Sequence, residues 1–401
     1  MKVLLLDVNC KSGSTGKIVF DLYTSLNSGN NTAIVGYGRG KKITEPNIFK
    51  FSSKIEVYLH ALMTRITGLT GCFSFFSTRR LIKLIEEYSP DIIHLHDMHG
   101  YFVNINQLIK YIAKNGFKTV WTFHCEFMYT GKCGYTFDCP NWLTQCGKCP
   151  QINEYPKSIF FDFTRKMHKD KKKLLQGLEN LVIVTPSHWL ANRVKQSFLG
   201  NKRIEVVYNG VNCDEIFGPK EYSHLVARHN IGGRKVVLSV APNIMDERKG
   251  GKYVVEVAKM MRSQNVLFIM IGVENPNFDP SPNIICLSRT EDQTELAAYY
   301  SLADITLLTS SKETFSMVCA ESLCCGTPVV GFDAGAPNEI APEGYGIFVP
   351  HGATSQLAET LQAALFGEIS IRTALECEKF GKQKYDQKIM CANYYCIYKS
   401  L

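Results

Sequence analysis

An α/β chain of two doubly wound, parallel-sheet domains is the fold class that this sequence predicts. Short apolar runs alternate with helix-period segments from end to end. That rhythm occurs twice, once in each half of the chain. The length of 401 residues suits two domains of roughly 150–200 residues each.

In the first half, apolar runs at residues 2–8, 32–37, 91–95, 118–123 and 181–185 read as strands. Helical patterns lie between them near residues 17–26, 79–88 and 105–114. In the second half, strands are expected at residues 235–240, 266–272, 284–287, 305–308 and 328–331. Helices are expected at residues 251–262, 294–302, 315–325 and 354–366. The stretch from Tyr208-Asn-Gly-Val-Asn-Cys-Asp to Gly218-Pro219 is turn-rich and poor in apolar residues, as a domain boundary would be. The expected division is 1–212 for the N-terminal domain and 213–380 for the C-terminal domain. A last helix at 381–401 is expected to return to the N-terminal domain.

The composition is 45% hydrophobic and 20% charged, which is that of an ordinary globular chain. A formal net charge of +8 suits an anionic ligand or an anionic membrane surface. It is too small an excess to argue for nucleic acid. The apolar run after Met1 is too short for a signal peptide, and no window approaches the ~18 apolar residues of a spanning helix. A cytoplasmic protein is therefore expected. The fifteen cysteines, an odd count lying mostly in apolar segments, read as reduced thiols.

Ligands of doubly wound sheets bind beyond the C-terminal ends of the strands. The candidate residues follow strands accordingly. Arg248-Lys249-Gly250 opens a helix, where cations and backbone amides suit phosphate; a solvated lysine is the plain alternative. Glu313-Thr314-Phe315-Ser316-Met317 precedes or starts another helix, whose first amides can hold a diphosphate. Glu313 could accept bonds from sugar hydroxyls, and Glu321, further along, from a ribose diol, because a carboxylate offers two acceptor oxygens. Gly13-Ser14-Thr15-Gly16-Lys17 follows the first strand, but its glycine spacing is not that of a Walker loop. His124 ends the strand at 118–123. His94 and His96 share one strand face, an arrangement compatible with metal chelation, and Asp97 follows them. Cys133, Cys139, Cys146 and Cys149 fall in a Cys-rich insertion at 125–150, with Cys-Gly-Lys-Cys as a knuckle. Four thiolates in a short segment can close a structural zinc site; free thiols or a redox pair are the alternatives.

Lys249-Gly250, Glu313-x7-Glu321 with Phe315, Gly326-Thr-Pro-Val and Gly335-Ala-Pro-Asn-Glu339-Ile together resemble the C-terminal half of glycosyltransferase family 4. Pro186-Ser-His-Trp-Leu and Val206-Val-Tyr-Asn-Gly-Val resemble the end of that family's N-terminal domain. The resemblance implies the GT-B fold, two Rossmann-like domains facing each other across a cleft. It implies a retaining transfer from a nucleotide-diphosphate sugar, UDP- or GDP-linked, to a saccharide acceptor on a lipid carrier, in capsule or exopolysaccharide assembly. Lys249 would hold the donor diphosphate with Arg248, Gly250 and the amides of Thr314, Phe315, Ser316 and Met317. Glu313 would hold the donor sugar and Glu321 the ribose. The Gly13–Gly16 loop, His96 and Asp97 would line the acceptor side, and His124 would approach the donor sugar. The Cys-rich insertion resembles that of colanic-acid-like and capsular polysaccharide members. No catalytic cofactor is implied. The chain departs from the family pattern at Asn243, Cys125, Ser316 and Ala336, where Arg, Asp, Gly and Gly are usual.

The basic run Arg165–Lys173 and the apolar, aromatic-rich stretch at 59–76 fit peripheral contact with the inner face of the cell membrane. Rival readings are a sugar-nucleotide epimerase or phosphorylase on the same fold, and a zinc-knuckle nucleic-acid-binding protein. The modest charge, and the lack of interleaved basic and aromatic residues around the cysteines, argue against the last.

Overall fold

The computed structural model describes residues 1–275, 278, 280–290 and 292–401. The chain divides into two units: Met1–Val207 with Cys391–Leu401, and Tyr208–Met390.

The first unit is built on seven parallel strands: β1 (Lys2–Asp7), β2 (Thr32–Tyr37), β3 (Ile48–Lys50), β4 (Ile92–Leu95), β5 (Lys118–Thr122), β6 (Leu181–Thr185) and β7 (Arg203–Val206). Their order across the sheet is β3-β2-β1-β4-β5-β6-β7. The helices are α1 (Gly13–Asn27), α2 (Lys54–Thr67), α3 (Phe75–Tyr88), α4 (Ile105–Lys114), α5 (Thr164–Gln176) and α6 (His188–Gln196). Among the described residues, the second unit has six parallel strands: β8 (Lys235–Val240), β9 (Val266–Ile271), β10 (Ile284–Leu287), β11 (Ile305–Leu308), β12 (Val329–Phe332) and β13 (Gly346–Val349). Their order is β10-β9-β8-β11-β12-β13. Its helices are α7 (Ser223–Arg228), α8 (Gly251–Met260), α9 (Gln293–Leu302), α10 (Met317–Cys324), α11 (Pro337–Ile340), α12 (Thr354–Leu365) and α13 (Ala374–Tyr385). The helix α14 (Gln387–Lys399) follows, and its residues from Cys391 on belong to the first unit.

The central strands are largely apolar because helices cover both faces of each sheet. Leu4, Leu5 and Leu6 of β1 are fully buried, as are Val237 and Leu238 of β8. Helix α4 shows the matching helical pattern. It buries Ile105, Leu108, Ile109 and Ile112, the spacing of one helix face. The Asn104 side chain caps that helix by accepting from the Gln107 amide at 2.9 Å.

The strand order reverses direction between β1 and β4 in one sheet, and between β8 and β11 in the other. At such a switch point the two crossovers leave in opposite directions, and a crevice opens beyond the strand ends. The register fixes which residues reach it. Leu6 pairs with Leu95, so Asp7 and His96 leave their strands side by side.

The expected helix at 315–325 begins later than its sequence suggests. Ser316 takes φ 93, a left-handed value outside any helix, and α10 starts at Met317. The expected C-terminal helix is two helices broken at Asp386, whose backbone is extended (φ −58, ψ 132). Val211 donates to the Tyr385 carbonyl at 2.7 Å and accepts from the Gln387 amide at 2.9 Å, which clamps the break. Beyond it, the Tyr394 hydroxyl reaches Thr122 Oγ1 at 2.9 Å and the Tyr398 hydroxyl reaches His94 Nδ1 at 2.6 Å.

Tyr398→Phe removes the hydroxyl and leaves a buried imidazole nitrogen without that partner. The expected cost is about 1–3 kcal/mol of stability, read by denaturant titration. A variant as stable as the parent chain would show that the C-terminal segment does not lock the first unit.

Candidate active site

Arg248, Lys249, Gly250 and Glu313 come together at the switch point of the second sheet. The loop after β8 carries the first three, and the loop after β11 carries the fourth. Lys249 Nζ donates to Glu313 Oε1 at 2.7 Å, and Arg248 Nη1 lies 3.8 Å from the same oxygen. The backbones of the two loops are laced as well. Ser311 N–H donates to the Arg248 carbonyl at 2.8 Å, and Thr309 Oγ1 donates to the Lys249 carbonyl at 2.9 Å. Gly250 caps α8 with φ 72, and a Cβ there would sit 2.3 Å from the Thr309 carbonyl oxygen. Only glycine closes that turn.

Glu313 is fixed from its other side by the segment that begins at Gly335. Its amide donates to the Ala334 carbonyl at 2.7 Å, and the Ala336 amide donates to its carbonyl at 3.1 Å. This is what the Gly335–Ile340 motif does locally: it brackets the backbone of Glu313. Burial pushes the Glu313 carboxyl up, but Lys249, Arg248 and its hydrogen bonds outweigh that, and its pKa falls below the ordinary range. The carboxylate is therefore ionised and can only accept hydrogen bonds.

Thr314, Phe315 and Ser316 are buried and lie ahead of α10. The Phe315 ring packs 6.3 Å from Tyr208 and 5.9 Å from Tyr385, so its side chain belongs to the core. Ser316 caps α10 by accepting from the Cys319 amide at 3.3 Å. Its positive φ is the backbone state that glycine adopts at no steric cost, which is the physical sense of the family's usual residue there. Glu321 lies on α10 and accepts from the Tyr300 hydroxyl at 3.2 Å.

The first unit gathers its polar residues at its own switch point. Gly13, Ser14, Thr15 and Gly16 form the first turn of α1. Thr15 Oγ1 donates to Asp7 Oδ2 at 3.0 Å, and the Asp97 amide donates to Asp7 Oδ1 at 3.0 Å. Asp7 thus joins two sequence-predicted residues, Thr15 and Asp97, although sequence reasoning did not single it out. The signal was a lone acid closing the apolar run of β1. Burial pushes its carboxyl well up, and Asp97 adds to that.

His96 Nδ1 and His124 Nε2 share a hydrogen bond of 3.0 Å. Burial pushes both imidazoles below their ordinary range; for His124, Asp97 acts upward and His99 downward. Both are neutral at pH 7. His94 does not join His96 as a chelating pair. Its ring lies 4.1 Å from that of His96, but its nitrogens face Tyr398 and Thr122. Cys125 Sγ lies 4.0 Å from Asp97 Oδ1, and burial with that acid pushes the thiol well up. Among the described residues, Asp97, His99 and Cys125 bring ligand-type atoms within 4.8 Å of one another. Sequence reasoning also passed over Glu126. This fully buried carboxylate accepts from Arg193 Nε at 2.5 Å, the Thr136 amide at 2.7 Å and the Tyr129 hydroxyl at 2.8 Å.

The Glu313 pKa lies below its ordinary 4.5, so its ion pair stabilises the fold above that pH and is lost as pH falls through the folded value. Glu313→Gln is therefore expected to lower Tm at pH 7. The gap to the parent chain should shrink steadily below pH 4.5. A gap that is constant with pH would show that the charge on Glu313 does not matter.

Two family profiles cover most of the chain. Residues 34–215 match Glycosyltransferase Family 4, and residues 225–386 match Glycosyl transferases group 1. WcaC of Escherichia coli K12, assigned to colanic acid biosynthesis as a glycosyl transferase, is 22% identical over the full length of both chains. Among solved structures, sucrose-phosphate synthase from Thermosynechococcus elongatus superposes with a TM-score of 0.72 at 16% identity, covering 100% of this chain and 98% of that one. HepE from Anabaena, in complex with UDP-glucose, superposes with a TM-score of 0.68 at 15% identity, covering 100% of each chain. With the parallel sheets, the switch-point charges and the two matched profiles in agreement, the chain belongs to the group 1, family 4 glycosyltransferases of GT-B fold.

Proposed function

We propose that this glycosyltransferase moves a sugar, with retention at the anomeric carbon, from a nucleotide-diphosphate sugar to a lipid-linked saccharide in surface polysaccharide assembly. The observation that carries this reading is the Lys249–Glu313 pair, held beside the start of α8 with Arg248 3.8 Å from the shared oxygen. An ammonium has three donors, so Lys249 can keep Glu313 and still bind a phosphate oxygen. Arg248 adds a second cation. Positive groups fixed in advance stabilise charge as it develops on a leaving diphosphate. Glu313 is ionised, and its role here is to accept from hydroxyls of the donor sugar. Glu321 takes the ribose. The bound UDP-glucose of HepE is in keeping with a donor of this class.

In the step itself, the bond from the anomeric carbon to the phosphate oxygen breaks. The acceptor oxygen bonds to the same face of that carbon, and the acceptor proton passes to the leaving phosphate. No carboxylate nucleophile is needed, unlike in glycosidases that use paired carboxylates. His124, neutral and oriented by His96, is suited to exchange a hydrogen bond with a sugar hydroxyl without adding charge. The Gly13–Gly16 turn and Asp97 receive the acceptor in this reading.

The lipid-linked acceptor rests on a separate surface of the first unit. On α2, Ile55 is 74% exposed and Tyr58 73%, with Leu59, Leu62 and Met63 exposed beside them. Phe75 and Phe76 of α3 are exposed, and the Phe76 amide is tied to Glu56 of α2 at 2.8 Å. Ile159, Phe160 and Phe161 are exposed too, and the Ile159 amide donates to the Arg65 carbonyl at the end of α2. Exposed apolar groups in such number mark an interaction surface. Arg165, Lys166, Lys169, Lys172 and Lys173 of α5 are also exposed, and α5 is joined to the loop after α2 by the Thr70 amide on Met167 Sδ. The proposed partner is an anionic lipid surface, taken up by the apolar groups and attracted by the basic ones. No helix among the described residues is long and apolar enough to cross a membrane.

Thermal stability with UDP, GDP and CMP tests the donor reading. One nucleoside diphosphate at 100 times its Kd should stabilise by about 2.7 kcal/mol, and Lys249→Ala should abolish the shift. No shift with any nucleotide, or an undiminished shift in the variant, would overturn the assignment of Lys249. Flotation with anionic vesicles tests the surface. Replacing Lys169, Lys172 and Lys173 by Ala should weaken binding by about 3 kcal/mol, or roughly 100-fold. A parent chain that stays with the soluble fraction would remove the membrane from this reading.

A further inference from the structure

Between β5 and α5 the chain runs through residues 123–163 with only two short 3-10 turns, Phe127–Tyr129 and Asn141–Leu143, as regular structure. A connection of that length without strands or helices needs another means of order. Four cysteines fall within it, Cys133, Cys139, Cys146 and Cys149, and all four line one small cavity. Its volume is about 10 Å³, room for a single water-sized sphere.

The local backbone is shaped around these sulfurs. Gly147 at φ 145 and Lys148 at φ 47 turn the chain sharply between Cys146 and Cys149. The Gly131 amide donates to Cys146 Sγ at 3.1 Å, a bond that is stronger to a thiolate than to a thiol. The Cys149 amide is held by Asp162 Oδ2 at 2.7 Å.

Two buried lysines provide an independent argument. Lys132 Nζ donates to the carbonyls of Ile152, Glu154 and Pro156 at 2.7–2.9 Å. Lys171 Nζ donates to those of Phe127, Thr130 and Gly131 at 2.5–3.4 Å. Carbonyl dipoles solvate an ammonium but do not neutralise it, and buried charges are normally paired. Lys171 Nζ thus reaches the carbonyl of Gly131, the residue whose amide holds Cys146 Sγ. Lys132 lines the same cavity as the four cysteines. Four thiolates around one divalent ion carry a charge of −2, which would favour the ammonium form of both lysines.

We propose that Cys133, Cys139, Cys146 and Cys149 form a closed structural Zn²⁺ site that orders the segment between β5 and α5. Four protein sulfurs leave no open position, so the ion does no chemistry on substrate. On binding, four Zn–S bonds form and four thiol protons pass to solvent. Zn–S bonds of ~2.3 Å place the sulfurs about 3.8 Å apart. Among the described residues no three of these sulfurs lie within 4.8 Å of one another, so ligation draws the rim inward. Cys139 and Cys149, the less buried pair, have the room to move. The site would brace the segment that starts beside His124 and holds Glu126.

Metal analysis of the full chain, purified without chelator from zinc-supplemented medium, tests this. About one zinc per chain is expected, and the Cys139→Ser/Cys149→Ser variant should lose it about tenfold or more. The Asp97→Asn/Cys125→Ser variant, which removes the other ligand cluster, should keep its zinc. Cobalt substitution of the unaltered chain gives a readout that does not depend on a variant folding: a four-thiolate site shows sulfur-to-cobalt charge-transfer absorption. Zinc-free protein overturns the proposal. So does zinc that follows Asp97 and Cys125, or a cobalt spectrum without sulfur charge transfer.

Discussion

The parallel sheet constrains everything else in this molecule. A strand buried on both faces carries few polar side chains along its length, and each must find a partner, so most of the chemistry is driven to its C-terminal end. Where the winding direction reverses, two loops diverge and leave space for a ligand. The first sheet reverses between β1 and β4 and the second between β8 and β11. Asp7, His96 and Asp97 gather at one reversal; Lys249 and Glu313 gather at the other. The sites are consequences of strand order as much as of residue type.

Polar groups driven into a dry interior must be paired or neutral, and both solutions are used here. Lys249 with Glu313, and Arg193 with Glu126, are charges answered by charges. The imidazoles of His94, His96 and His124 are neutral and answered by hydroxyls or by one another. Pairing at the second switch point is asymmetric in a useful way. A lysine there retains donors for an anion, whereas the carboxylate can only accept. In the Cys-rich segment two buried lysines lie beside thiols and donate to backbone carbonyls.

Sequence periodicity failed at particular places for physical reasons. β3, β7 and β13 were not expected, and all three are edge strands. An edge strand is covered less completely, so it needs no continuous apolar run: β7 reads Arg-Ile-Glu-Val and none of its residues is fully buried. Helix α2 was read only as an apolar stretch, because its exposed face is as apolar as a core face. Interior strands such as β1, β5 and β9 were legible, since burial on both faces demands the very pattern that periodicity detects. In the candidate sites, Lys249, Glu313 and His124 were singled out from motif and position, and the structure brings Lys249 to Glu313 and His124 to His96. Asp7 and Glu126 were not, because a single acid in an apolar context carries no local sign of its partner.

By itself, then, the sequence determined two doubly wound α/β halves, the loops that carry their charged residues, and the glycine turns that let those loops close. Local pattern is sufficient there, because burial and backbone conformation act over a few residues. Tertiary structure alone decided the partners. Tyr398 reaches His94 across 304 positions, and Lys249 reaches Glu313 across 64. It also decided that His94 turns to hydroxyls and away from a metal, and that four cysteines in a loop surround one cavity. Distances between side chains depend on strand order and register, which no local pattern encodes.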